Sequence, residues 1–351
     1  MYKVGIIGCG RPSNYEGSTG HGIAHHHAVG YKGCNDTKLV AVADIVRENA
    51  KAFASQHDVP RIYESYQEMI VREKLDMVSV CLWIPLHAPV VKEAATLGVK
   101  AIHCEKPMAP TYGEAKSMVE TCNRSGVQLT FNHQRRFGEV FRKAKEIAHS
   151  GAIGQIHRFE GYCSNIFDWG THWIDMMFFY NNDEPASWVI AQINSQTENK
   201  LFGVDMENQA ICRIQFNNGV TGLLDTGIDK RTCALRIMGS DGLIEVTVPD
   251  GPALRFLAKG YRGWQEPEIR ELKSQHMPIV FTSAITDLVD ALKTGREPEL
   301  SSRKALQATE VIFSAYESSR RRSRVDLPLD IEDSPFLDML ERGMIGPRKG
   351  K

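Results

Sequence analysis

Along its first third the chain alternates short apolar, β-branched runs with longer stretches whose apolar residues recur at helical spacing. Residues 3–7, 39–43, 77–82, 99–104 and 127–131 read as buried strands, with helices between them that include 45–54 and 88–97. Such alternation predicts a parallel, doubly wound sheet that closes near residue 125. The second half has a different rhythm. Residues 187–195, 207–216, 220–228, 232–238 and 243–248 read as strands, joined by the turn signals Asn218-Gly219 and Ser240-Asp241-Gly242. Short turns imply an antiparallel sheet, and helices over 278–294 and 302–320 follow it. At 351 residues the chain suits two cores. The expectation is an α/β protein with domains at 1–125 and 126–351, the second built on a large, mostly antiparallel sheet.

Chemistry-bearing residues stand where the strands of the first domain end. The first strand runs into Gly8-Cys9-Gly10, the opening of a strand-turn-helix nucleotide site, and a loop-like insertion at 11–21 follows. With the insertion set aside, Gly8 and Gly10 join Gly22-Ile23-Ala24 as a dinucleotide fingerprint with Ala24 in the third small-residue position. The first glycine permits a tight turn, the second lets the backbone approach a pyrophosphate, and the helix N-terminus offers its amides to the anion. The second strand ends at Asp44, whose carboxylate can accept both ribose hydroxyls of an adenosine and would repel a 2′-phosphate, so NAD is expected over NADP. Arg47 nearby works against that preference, and an N-cap of the following helix is the structural alternative for Asp44. A further strand ends in Glu105-Lys106-Pro107. Pro107 fixes its own φ and keeps Lys106 extended at the carboxyl edge of the sheet, where ligands bind in such folds.

In the second half, Asp168, His172 and Asp175 fall on one face of a helix, beside an apolar stripe of Trp169, Trp173, Met176 and Tyr180. An acid, a histidine and a second acid on one face suggest proton-transfer chemistry. A histidine satisfied by a local carboxylate is the structural alternative. The set has no obvious third ligand, so no metal is expected.

Composition narrows the classes. A formal charge of -1 with 24% charged residues argues against nucleic acid and anionic membrane as partners. No apolar run reaches membrane-spanning length or has a signal-peptide layout, so a cytoplasmic protein is expected. Eight scattered cysteines without a CxxC read as free thiols.

Gly8-Cys9-Gly10 with Gly22-Ile23-Ala24, then Asp44, Pro85 with His87, Glu105-Lys106-Pro107, Arg135-Arg136-Phe137 and Asp168-x-x-x-His172-x-x-Asp175 occur in this order. In this the chain resembles the Gfo/Idh/MocA oxidoreductases, the family of glucose-fructose oxidoreductase and inositol dehydrogenase, over nearly its whole length. The resemblance implies an N-terminal Rossmann domain, a C-terminal α/β domain with an open sheet, a bound nicotinamide dinucleotide and a sugar or cyclitol substrate. It implies that Lys106 and His172 face the reacting carbinol, that Glu105 belongs to the cofactor side, and that Pro85 and His87 line the nicotinamide. His172, with an ordinary pKa near neutrality, is the candidate base; Asp168 would orient it and Lys106 would stabilise charge on the hydroxyl oxygen. Arg135, Arg136, Tyr162 and Asp175 are candidates for gripping the rest of the substrate, each with a structural role as the alternative. Self-association into a dimer or tetramer through the C-terminal sheet is expected. Some relatives are glycosidases that retain NAD and oxidise a sugar transiently, and a non-catalytic dinucleotide-binding regulator is the third class. The insertion at 11–21 departs from the family pattern and is expected to arch over the bound dinucleotide.

Overall fold

The computed structural model describes residues 1–10, 22–227, 234–248, 250–270 and 276–346. They form two compact units: Met1–Ala109, Glu114–Phe137 and Leu272–Ala305 make up the first, and Pro110–Gly113, Gly138–Glu271 and Leu306–Lys351 the second. The expected insertion loop at 11–21 lies outside the described residues.

The first unit opens with β1 (Tyr2–Ile7), α1 (Ile23–Gly33), β2 (Thr37–Ala43), α2 (Arg47–His57), β3 (Arg61–Tyr63), α3 (Tyr66–Glu73) and β4 (Met77–Val80). It continues through α4 (His87–Thr96), β5 (Ala101–Cys104), α5 (Tyr112–Ser125) and β6 (Gln128–Phe131). The six strands pair in parallel in the order β3-β2-β1-β4-β5-β6. This is the doubly wound Rossmann sheet expected from the alternation of strands and helices. Every residue of β4 and β5 is buried, as strands covered on both faces must be. The strand order reverses between β1 and β4, the switch point at which such sheets open a crevice.

The second unit holds α6 (Glu139–His149), β7 (Ile156–Cys163), α7 (Gly170–Tyr180), β8 (Ala186–Asn194), β9 (Lys200–Leu201) and β10 (Val204–Asp205). β11 (Gln209–Phe216), β12 (Thr221–Thr226), β13 (Leu235–Gly239), β14 (Gly242–Val246) and β15 (Leu254–Ala258) follow. After α8 (His276–Thr294), which packs in the first unit, come α9 (Ser302–Arg321), β16 (Val325–Asp326) and α10 (Pro335–Glu341). The main sheet has the order β15-β14-β13-β7-β12-β11-β8-β16, antiparallel except between β7 and β12. α7 lies on one face of it. A Cβ built on Gly161 of β7 would stand 3.1 Å from Met177 Cε, and one on Gly222 of β12 would stand 3.0 Å from Met177 Sδ. The two glycines let the helix sit close to the strands, and α7 is buried from Gly170 to Tyr180.

α8 is the part of the second half that belongs to the first unit. Ile285, Leu288 and Val289 join the core made by β1, β2 and α1. A Cβ on Gly30 would come within 3.0 Å of Phe281 O, and one on Gly33 within 2.4 Å of Thr282 Oγ1. α1 therefore has a glycine face shaped to receive α8. The compact units thus do not divide the chain at residue 125: the first takes back residues 272–305 as cover for α1. Among the described residues no helix is long and apolar enough to cross a membrane.

His25 of α1 and His57 of α2 tie these two helices together, with His25 Nδ1 2.7 Å from His57 Nε2 and both rings against Phe53. Burial, then the neighbouring His25, lowers His57 from 6.5 to about 4. A depressed histidine is protonated in the unfolded chain before it is in the folded one, so stability falls as pH drops from 6.5 towards 4. The urea midpoint is expected to decline over that range, and His57→Gln to flatten the decline. Identical slopes for the two proteins would remove His57 from the account.

Candidate active site

At the end of β1 the backbone of Gly8 has φ +87°, and a Cβ there would lie 2.6 Å from Cys81 O. Only glycine fits that turn. Gly10 has φ +68°, and among the described residues nothing lies within 4 Å of an added Cβ. Gly22, with φ +57°, precedes α1, whose first turn, opening on Ile23 and Ala24, has no side-chain cap. Asp44 follows β2: its Oδ2 accepts the Cys9 amide at 2.8 Å and its Oδ1 the Val46 amide at 2.8 Å. The N-cap of α2 is Val46, so Asp44 caps a turn and not the helix. Each oxygen keeps a lone pair for a further donor. Arg47 is exposed and paired with Glu64 at 3.0 Å. A glycine backbone and a helix start without a side-chain cap among the described residues, together with an anchored acceptor, fit a dinucleotide's pyrophosphate and ribose.

Glu105 and Lys106 extend from β5, and the Lys106–Pro107 peptide is cis. Lys106 is half-buried. The Glu105 carboxylate turns into the protein, where Oε1 accepts from His27 Nε2 at 2.8 Å and from Asn132 Nδ2 at 2.6 Å. Its Oε2 accepts the Lys106 amide at 3.3 Å. Burial works against the charge, but the His27 bond, then the Lys106 charge and the Asn132 bond, bring the acid down to about 2. On the far side His27 Nδ1 meets Ser79 Oγ at 2.9 Å, and Ser79 meets the Tyr31 hydroxyl at 2.8 Å. A polar chain through α1, β4, β5 and β6 thus ends at the lysine's own backbone.

Pro85 is exposed in the 3₁₀ turn Ile84–Leu86 beyond β4. His87 is not presented to a ligand. It is fully buried, with Nδ1 3.0 Å from Pro107 O and Nε2 3.0 Å from Leu82 O, and braces the two turns. Arg136 is buried as well and pairs with Glu299 at 2.9 Å, in a place that reads as structural. Arg135 occupies the same turn, half-buried.

In the second unit α7 starts at Gly170, so Asp168 stands just before the helix that carries His172 and Asp175. The turn between β7 and α7 is wound on Asn165, whose Oδ1 accepts the Asp168 amide at 2.7 Å and the Trp169 amide at 3.1 Å. Asp168, His172 and Asp175 are all buried, whereas Trp169 is exposed and does not extend the apolar stripe of Trp173 and Met176. Polar groups in an otherwise apolar buried helix cost stability unless they are partnered or used. Tyr162 is on the other side of the sheet. Gly161 faces α7, so its neighbours along β7 point away, and the Tyr162 hydroxyl donates to Glu160 at 3.0 Å.

Residues 2–133 match the profile described as "Oxidoreductase family, NAD-binding Rossmann fold", and residues 165–327 match its companion, "Oxidoreductase family, C-terminal alpha/beta domain". The chain belongs to the Gfo/Idh/MocA family. Within this Gfo/Idh/MocA family it is 24% identical to D-apiose dehydrogenase of Paraburkholderia graminis over 376 residues, 98% of this chain and 94% of that one. An Agrobacterium radiobacter oxidoreductase, solved with NAD+, L-tartaric acid and magnesium, superposes with a TM-score of 0.77 at 21% identity, covering 93% of this chain and 98% of that one. The myo-inositol 2-dehydrogenase of Lactobacillus plantarum superposes with a TM-score of 0.71 at 20% identity, covering 93% and 99%. At these identities the structural likeness bears on the fold.

Reading the chain missed His27, Ser79 and Asn132. His27 is one of three consecutive histidines, Ser79 is the polar residue inside an apolar strand, and Asn132 directly follows β6. A polar residue within a strand buried on both faces was the available signal. His27→Ala leaves Glu105 buried with one donor fewer, a loss of about 1–3 kcal/mol. Adding Glu105→Gln should recover part of that, because no charge is then left uncompensated. A His27→Ala urea midpoint equal to wild type would mean that Asn132 alone sustains the carboxylate.

Proposed function

We propose that this protein is an NAD-dependent dehydrogenase acting on a secondary hydroxyl of a sugar, sugar derivative or cyclitol. The observation that carries the chemistry is a histidine and two carboxylates, His172, Asp168 and Asp175, in and before a helix buried along its whole length. The dinucleotide family and the activities of the relatives, D-apiose and myo-inositol dehydrogenases, support the substrate class.

Gly8, Gly10 and the start of α1 at Gly22, Ile23 and Ala24 would hold the pyrophosphate, and Asp44 the adenosine ribose. A bound nicotinamide supplies the acceptor and donor of hydride. His172 takes the hydroxyl proton, the general-base role for which an imidazole is suited. Asp168 holds the imidazole in orientation and offsets its charge once protonated. Lys106, its backbone fixed by Glu105, donates to the same oxygen and stabilises the negative charge that develops there. Asp175 and Arg135 grip other hydroxyls. Association into a dimer or tetramer would use the open face of the main sheet, where Ile190 and Ile211 are 45% and 51% exposed.

Lys106→Ala and His172→Ala should each lower turnover by about a hundredfold or more, with NAD affinity retained. The assay is NADH formation over a panel of D-apiose, myo-inositol and alkyl glucosides. Activity within about threefold of wild type refutes the residue concerned. Sugar released from a glycoside with no NADH accumulating assigns redox-neutral hydrolysis instead.

Asp44 sets the cofactor. NAD should bind at least about tenfold more tightly than NADP, on the order of 1.4 kcal/mol, and Asp44→Ser should narrow the gap. Equal affinities of the wild type by calorimetry sink the assignment.

A further inference from the structure

Glu207 lies in the link before β11 and is completely buried. Its Oε1 accepts the amide of Ile166, and its Oε2 accepts the hydroxyl of Tyr316 at 2.7 Å. Tyr316 belongs to α9 and is buried against Phe313 and Phe336. Its own main chain is held too, since Asn199 Nδ2 donates to Glu207 O at 3.2 Å. One carboxylate therefore joins three places distant in sequence: the turn before α7, the start of β11 and the middle of α9.

The turn it holds is the one that presents Asp168. Asn165 winds that turn from within, taking the Asp168 and Trp169 amides on its side chain and the Gly170 amide on its carbonyl at 2.9 Å. Those bonds fix the turn's shape but not its place in the unit. Place comes from Ile166 and Phe167, both buried: Phe167 packs edge-on against Phe313 at 6.2 Å, and the Ile166 amide is taken by Glu207. A lone amide needs only a neutral acceptor, and a carboxylate is a costly one to bury. Burial pushes this acid up to about 7.

We infer that Glu207 is a positioning residue for the proposed reaction, fixing the 165–169 turn, and with it Asp168 and the first turn of α7 bearing His172, against α9. The inference rests on the reading of Asp168 and His172 given above. A displacement of the turn moves both groups relative to the reacting hydroxyl, and errors of about 1 Å in such groups cost up to about a hundredfold in rate. The dinucleotide residues belong to the other unit, so cofactor affinity should not follow.

The test uses the full chain with Glu207→Ala, Glu207→Gln and Tyr316→Phe, followed by hydrogen exchange of the 165–172 amides and by kinetics on the sugar panel with NAD. Glutamine keeps both bonds: its Oε1 accepts the Ile166 amide and its Nε2 donates to the Tyr316 oxygen. Glu207→Ala should speed exchange at Ile166 to Trp169 and lower kcat roughly ten- to a hundredfold with the KM for NAD within about twofold. Glu207→Gln should recover most of both losses, and Tyr316→Phe should show a weaker form of the alanine effect. Unchanged exchange or unchanged kcat in Glu207→Ala overturns the inference, and so does a glutamine variant as impaired as alanine. If Glu207→Ala does not fold, glutamine and Tyr316→Phe decide, with wild-type exchange and kcat in Tyr316→Phe counting against the brace. Should His172→Ala keep full activity, the reading of the site falls, and the exchange measurement alone decides whether Glu207 fixes the turn.

Discussion

A carboxylate buried at the end of a parallel strand must be met by donors, and much of the first unit follows from that demand. Glu105 leaves β5 toward the interior, where no water can serve it, so α1 supplies His27 and the end of β6 supplies Asn132. His27 in turn needs a partner for its second nitrogen, which is why a serine stands inside β4 among residues otherwise apolar. The same carboxylate takes the backbone amide of Lys106. The backbone of the lysine proposed to meet a substrate is thus held by a chain of hydrogen bonds that runs into the interior.

The second unit solves a related problem by different means. α7 carries ionisable groups yet is buried from end to end, and its seat is made by absent side chains: Gly161 and Gly222 let the helix approach the strands, and Gly170 opens it where a Cβ would stand 3.0 Å from Leu224 Cδ2. Charge is kept off the helix-bearing face of the sheet and gathered on the other. There Glu160 pairs with Arg158 and Arg236, and Glu245 with Arg236 and Arg255, each within 2.6–2.9 Å. The two faces of one sheet therefore carry different work.

What could be read from the chain was what backbone geometry dictates locally. Gly8, Gly10 and Asp44 were legible because a tight turn and an acceptor at a strand end demand those residue types at that spacing. Features that depend on long-range packing were not. β7 was overlooked because its outward positions hold the charged residues Arg158 and Glu160, and one of its inward positions is a glycine. The return of α8 to the first unit rests on the fit of Phe281 and Thr282 to glycines some 250 positions earlier, which no local pattern reports. The family resemblance puts His87 at the nicotinamide, and Arg136 and Tyr162 are candidates for gripping a substrate. Their partners, two carbonyls, Glu299 and Glu160, become visible only in three dimensions.

Polar burial divides this protein into groups that are spent on structure and groups that are not. Arg136 is paired with Glu299 and Glu105 is hydrogen-bonded to His27, and such partnered groups in low dielectric hold elements in register even where they add little net stability. Glu207 is unlike them, because its partners are an amide and a phenol and neither carries an opposing charge. Burial without a counter-ion raises its acid to about 7, against about 2 for Glu105, although both are fully enclosed. The contrast isolates the cause: desolvation acts on both carboxylates, and the difference between them is the cationic and donor company that Glu105 has and Glu207 lacks. Glu207 lies beneath the turn that bears Asp168, so the turn proposed to carry the chemistry rests on a carboxyl whose burial no opposite charge offsets.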